Sequence, residues 1–114
     1  LAVAPDDAYA NMLGIIDAGE PLAQSYAAVF DDIAIGAMKA LMERGYRVPD
    51  DVRIIGFDNH VGGTYVQPRL TTLNVPSRYM GSLAAGRIIE VIDESEHHPI
   101  SIGVGVSLIK RESA

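Results

Sequence analysis

Cysteine is absent from the 114 residues. That excludes disulfides and thiolate chemistry, and it fits a cytoplasmic protein. No apolar run approaches the ~20 residues that a membrane-crossing helix needs, so no membrane partner is expected. The opening Leu1-Ala2-Val3-Ala4-Pro5-Asp6-Asp7 has neither a basic n-region nor a long apolar h-region, so no signal peptide is visible. Positive charge is scarce: Lys and Arg total 9 against 15 Asp and Glu, a formal net charge of −6. A DNA-binding module normally carries a basic patch, so this segment is not expected to touch nucleic acid by itself. The chain also lacks a start methionine, which points to a fragment or a processed product.

Catalytic signatures are missing as well. There is no Walker loop, no Gly-x-Ser-x-Gly elbow and no helical His-Glu-x-x-His. Gly103-Val104-Gly105 has the first two glycines of a dinucleotide loop, but the third is absent and no helix follows. His97-His98 lies in a charged stretch without two further ligands nearby, which reads as exposed filler rather than a metal site. Asp31 and Asp32 could in principle work as an acid/base pair, but adjacent carboxylates at a helix start usually serve the helix. No catalytic residue, metal site or cofactor is expected.

What is present is an ordinary globular composition, 48% hydrophobic and 21% charged, in a chain long enough for one domain with a real core. Leu1–Ala4 can end a strand. Asp6 and Asp7 offer an N-cap to a helix whose apolar positions are Tyr9, Met12, Leu13 and Ile16, closed by Gly19 and Pro21. Tyr26–Phe30 reads as a second strand. A helix from Asp31 carries Ala34, Ala37, Met38, Leu41 and Met42 at a period of 3.6, with acidic residues in its first turn suiting the helix dipole; Gly45 ends it. Arg53–Phe57 is a third strand, so the order is β-α-β-α-β and parallel strands with right-handed crossovers are expected. Residues 61–68 read as a loop with one turn and Leu70–Val75 as a strand. Pro76-Ser77 introduces a last helix with Met80, Ala84, Ile88, Val91 and Ile92 as its buried stripe. Asp93–His98 is a solvated connection, and Ile102, Val104, Val106 and Leu108 alternate as a closing strand with one apolar face.

The chain is organised around Arg53-Ile54-Ile55-Gly56-Phe57-Asp58-Asn59. A short apolar run after the turn Val48-Pro49-Asp50-Asp51 fits a strand buried on both faces. It ends on an acid and an amide, and in open α/β sheets ligands bind beyond the carboxyl ends of strands. Asp58 there can accept hydrogen bonds from neighbouring hydroxyls, or it can simply cap the next turn. His60, two places on, could join a metal pair or hydrogen-bond a ligand from the rim; the rim role is the better fit.

Several segments together resemble one family. They are Ala28-Val29-Phe30 before Asp31-Asp32-Ile33-Ala34-Ile35-Gly36-Ala37, then Gly45-Tyr46-Arg47-Val48-Pro49-Asp50-Asp51-Val52, and Ile55-Gly56-Phe57-Asp58-Asn59. They continue with Pro68-Arg69-Leu70-Thr71-Thr72-Leu73, Met80-Gly81 and Leu108-Ile109-Lys110-Arg111-Glu112-Ser113. In this order and spacing the chain resembles the C-terminal part of a LacI/GalR-family transcriptional regulator.

The resemblance implies an α/β, periplasmic-binding-protein-like (type I) fold, a parallel sheet flanked by helices, forming an incomplete two-subdomain domain. Residues 1–70 would be mainly the C-terminal subdomain, 71–103 a crossover into the N-terminal subdomain, and 104–114 the return strand and tail. It implies a sugar or nucleoside effector and no enzyme activity. It also implies operator DNA bound only through an N-terminal helix-turn-helix outside this chain, and a cytoplasmic homodimer. A periplasmic sugar-binding transport receptor of the same fold is the alternative; a flavodoxin-like enzyme is disfavoured because no phosphate loop is present. By the same resemblance Asp58 grips effector hydroxyls, with Asn59 and His60 beside it. Asp31 matches the aspartate of an Asn-Asp pair. Phe30 stands where the family has that asparagine, unless two loop residues are absent before Asp31; it could offer a ring for stacking, though a core phenylalanine at a strand end is the more ordinary reading. Tyr65 matches a tyrosine of the family's subunit contact. The Asp31 helix carries more apolar surface than one stripe needs, so Ile35, Met38 and Tyr65 are expected in an isologous dimer contact.

Overall fold

The computed structural model describes residues 4–93 and 98–114; most of the expected strand at Leu1–Ala4, and His97 of the weighed histidine pair, lie outside them. Two compact units emerge: residues 1–74 with 107–114, and residues 75–106.

The first unit is built on helix α1 (Pro5–Asp17), strand β1 (Ser25–Ala27), helix α2 (Asp31–Glu43), strand β2 (Arg53–Phe57), a one-turn 3-10 helix (Val61–Thr64), strand β3 (Thr71–Asn74) and strand β4 (Ser107–Ile109). The strands form one sheet in the order β1-β2-β3-β4. β1, β2 and β3 are parallel, as the alternation of strands and helices requires, but β4 runs antiparallel to β3. The sheet is therefore mixed rather than parallel throughout. Only residues 107–109 of the expected closing strand pair. Ile102, Val106 and Leu108 are exposed, because an alternating pattern buries a face only where a neighbouring layer meets it.

Local chemistry explains the helix boundaries. α1 starts on Pro5, whose fixed φ and missing N–H suit the first helical position. Its N-cap is Ala4, without a side-chain bond, so Asp6 and Asp7 sit in the first turn and do not cap it. Gly19 adopts φ 72 just past the end. The second strand stops at Ala27, short of the expected Phe30, because Phe30 becomes the extended N-cap of α2 and its carbonyl accepts the Ala34 N–H at 3.1 Å.

The core joins Met12, Ala34, Met38, Leu41, Val52, Ile54 and Leu70, with Tyr9, Leu13 and Ile16 packed against it. The two helices meet closely at Gly36, where a Cβ would run into the Pro5 carbonyl. Arg44 clamps Asp17 with two 2.8 Å hydrogen bonds, and the Tyr9 hydroxyl donates to Glu43 at 2.6 Å.

The second unit contains helix α3 (Ser77–Asp93) and, after it, residues 98–106, which form no regular element. The expected buried stripe is not buried: no residue of α3 is, and Ile92 is 75% exposed. The apolar face is real, but the unit's own residues supply no layer to cover it.

Candidate ligand-binding site

Beyond the carboxyl end of β2 lies a cleft of about 420 Å³ whose walls include Phe30, Asp31, Asp32, Asp58, Asn59 and His60. Every ligand candidate expected from the sequence is at this one place. Their chemical situations differ sharply.

Asp31 is 1% exposed, and both carboxylate oxygens are engaged. Thr72 Oγ1 donates to Oδ1 at 2.6 Å and the His60 backbone N–H donates to Oδ2 at 2.7 Å. A buried carboxylate without donors would be costly, whereas two short charge-assisted bonds and the first turn of α2 stabilise it. The arrangement needs Gly56, because a Cβ there would fall on the Asp31 carboxylate. Asp31 thus fastens the loop after β2 to the start of α2 and to β3, and it has no lone pair left pointing at open solvent.

Asn59 is also engaged. Its side-chain oxygen accepts from Arg111 Nη2 at 2.7 Å, and its side-chain nitrogen donates to Asn74 Oδ1 at 3.1 Å. Asp58 and Asn59 both have positive φ, 105° and 56°. Such backbone costs of order 1–3 kcal/mol per residue and persists only where surroundings over-determine it. Here they do: the Asp58 N–H donates to the Leu73 carbonyl at 2.9 Å and the Asn59 N–H to Thr72 Oγ1 at 3.2 Å.

Asp58 itself is exposed, and among the described residues its carboxylate has no hydrogen-bond or ion-pair partner. It does not cap the next turn: the 3-10 helix begins after His60 and has no side-chain cap. Phe30 stands 52% exposed at the cleft wall, free to offer its ring. His60 Nδ1 lies 3.2 Å from Asp32 Oδ1, so imidazole and carboxylate share the rim. The cleft therefore presents the uncommitted Asp58 carboxylate, an aromatic face and a polar rim on a braced floor. That set can bind and orient a ligand; it holds no nucleophile paired with a base.

The bracing residues were not singled out from sequence. Thr72, Asn74 and Arg111 matter through their bonds to Asp31 and Asn59, and Ser113 donates to the Ile54 carbonyl at 2.6 Å while accepting the Thr71 N–H at 2.9 Å. The available signal was a pair of threonines in a strand next to the core, since buried hydroxyls must find partners. Their partners lie some 40 residues away in the chain, beyond any local pattern.

The residues expected at a subunit contact separate as well. Tyr65 is 83% exposed, whereas Met38 is 1% exposed and belongs to the core. Met38 has no surface to offer a partner, because α2 rotates it inward beside Ala34 and Leu41. Ile35 is half-buried against the core.

A larger groove of about 480 Å³ lies on the second unit, lined by α3 side chains together with Ile100, Ile102 and Val104. Among the described residues, Arg87 is the one charged residue that lines it. Without convergent polar groups to fix a small molecule, it is an uncovered packing face rather than a ligand site.

Residues 4–114 match the periplasmic binding protein-like domain. A curated relative, the HTH-type transcriptional regulator AscG of Escherichia coli K12, is 42% identical over 83 residues, covering 73% of this chain and 24% of its own. Among solved structures, the transcriptional regulator CelR–cellobiose complex superposes with a TM-score of 0.88 at 27% identity, covering 98% of this chain and 34% of that one. A LacI family transcriptional regulator from Enterococcus faecium with bound ribose gives a TM-score of 0.82 at 28% identity, over 97% of this chain and 40% of that one. The chain spans about a quarter of the length of the curated relatives it matches. It belongs to the periplasmic binding protein-like domain family, and the relatives and solved structures it resembles are transcriptional regulators, several of them of the LacI type.

Proposed function

We propose that this chain is the effector-binding and dimerisation part of a bacterial LacI-type DNA-binding transcriptional regulator. It senses a small polyhydroxyl ligand of the sugar or nucleoside class in the cytoplasm, and it is not an enzyme. The observation that carries this reading is the free Asp58 carboxylate at the end of β2, held on a braced turn beside the exposed ring of Phe30. A carboxylate accepts two hydroxyl hydrogen bonds, and an aromatic face stacks on the apolar face of a ring. Cellobiose and ribose in the neighbouring regulators support the ligand class. Asp31 and Asn59 serve the site from beneath, and His60 completes its rim.

In this reading the first unit is the C-terminal subdomain, and residues 75–106 are the chain's excursion into the N-terminal subdomain, whose other elements cover α3. Operator DNA is contacted through a helix-turn-helix outside these residues. Two copies associate through a surface around Tyr65, with the half-buried edge of Ile35 contributing. Exposed aromatic and apolar side chains grouped on one face are what an isologous contact requires.

The test uses the intact protein on labelled palindromic duplexes drawn from a randomised pool. Anisotropy titrations are made with and without ribose, cellobiose and a set of nucleosides. One of these probes should shift DNA affinity by about 5- to 150-fold, the usual range of allosteric coupling. A protein that ignores every duplex and every probe would refute the reading. Sedimentation of Ile35→Glu and Tyr65→Ala should show dissociation at low micromolar concentration, and a folded, fully dimeric variant would place the contact elsewhere.

A further inference from the structure

Asp58 is free to act, but the residue after it is not. The Asn59 side chain bridges two groups outside the cleft walls, accepting from Arg111 and donating to Asn74. Asn74 is the last residue of β3 and the last of the first unit before the chain passes into residues 75–106. Its cross-strand partner, Ser107, is the first residue after the chain returns. Arg111 follows β4 and is itself anchored, donating from Nη1 to the Leu70 carbonyl at 2.8 Å and from its backbone N–H to Thr71 Oγ1 at 2.9 Å. One amide therefore touches the end of the outgoing strand and a residue two places past the far end of β4, while its own backbone forms half of the positive-φ turn that carries Asp58.

We propose that Asn59 is a positioning residue that ties the Asp58 turn to the end of β3, where the chain leaves the first unit, and to Arg111 in the tail beyond β4. Occupancy of the cleft and the setting of the Asn74 strand end and the Arg111 tail are then coupled through a single side chain. The proposal rests on Asp58 being the ligand acceptor, and it moves Asn59 from the ligand's contacts to the support beneath them. The simpler alternative is that asparagine stands here because it tolerates left-handed backbone. Glycine tolerates that backbone at least as well, and it lacks the amide, so Asn59→Gly separates the two.

The experiment is hydrogen–deuterium exchange on the intact protein, comparing wild type, Asn59→Gly, Asn74→Ala and the double variant. In Asn59→Gly the amides of residues 58–60 and 111 should exchange about three- to tenfold faster, as the loss of hydrogen bonds holding a local element predicts. Amides in the middle of α2 should be unchanged. Asn74→Ala should reproduce part of the effect, and the double variant should add less than the sum. Wild-type exchange in Asn59→Gly, or an equal acceleration everywhere, would overturn the proposal. The same proteins are titrated with ribose and cellobiose. If wild type binds either, Asn59→Gly should weaken it by about three- to tenfold, and equal affinity would count against the coupling. If wild type binds neither, the Asp58 reading fails for those sugars and the exchange comparison still decides the role of Asn59.

Discussion

Helices α2 and α3 carry apolar side chains at the same helical spacing and meet opposite fates. In α2, Ala34, Met38 and Leu41 are closed off by α1 on one side and β2 on the other. In α3, Met80, Ile88 and Ile92 line an open groove and no residue is buried. Periodicity states which face of a helix is apolar. It does not state what covers that face, and the covering layer decides whether the stripe contributes to stability.

That contrast can be broken most strongly in α2. Leu41→Ala should cost about 2–5 kcal/mol in chemical denaturation, the usual range for truncating an enclosed leucine. Ile88→Ser in α3 is the matching experiment on the intact protein. A loss of comparable size is expected if the rest of the N-terminal subdomain covers the groove, whereas a change within about 0.5 kcal/mol would mean that the face stays solvated.

A smaller effect sharpens the contrast inside the first unit, where polar rather than apolar burial holds the site. Thr72→Val keeps shape but removes the hydroxyl that donates to Asp31 and accepts from Asn59. Leaving a buried acceptor unmatched should cost about 1–3 kcal/mol. A neutral result in urea denaturation would show that Asp31 does not need this brace.

The smallest effect is electrostatic and confined to the surface. The Arg69 backbone N–H, and then its guanidinium, hold the Glu112 carboxyl below its ordinary range. Hydrogen bonds from Arg47 and from Arg44 do the same for Asp51 and Asp17. A depressed folded pKa contributes stability that is present above the unfolded value and is lost as pH falls through the folded one. Melting temperature should therefore drop as the medium is acidified below about pH 4, the unfolded carboxylate range, and Glu112→Gln should lessen that drop. An unchanged acid limb would remove Glu112 from the account.

The framework was legible from local pattern wherever structure is local. Arg53–Phe57 and the Asp31 helix were readable because turn residues bound them and their apolar residues keep one period. The cleft was legible as a location, since strand ends dictate it. The division of labour within it was not: Asp31, Asn59 and Asp58 are all polar residues near one strand end, and only distant partners distinguish them. Thr72 and the His60 backbone N–H hold the two Asp31 oxygens, Arg111 and Asn74 hold the Asn59 amide, and Asp58 is left free. Met38, expected at a subunit contact, lies in the core for a related reason, because a helix with apolar residues on more than one side does not declare which side faces its own core.

The central claim is that Asp58 is the acceptor that grips the ligand. Calorimetry on the intact protein, with a probe that binds wild type from the ribose, cellobiose and nucleoside set, tests it directly against Asp58→Ala and Asp58→Asn. Removal of a charged acceptor that the ligand desolvates should weaken binding by about 2–5 kcal/mol in the alanine variant. The asparagine variant should retain only part of the affinity, because it keeps one acceptor oxygen and loses the charge. Wild-type affinity in both variants would contradict the claim.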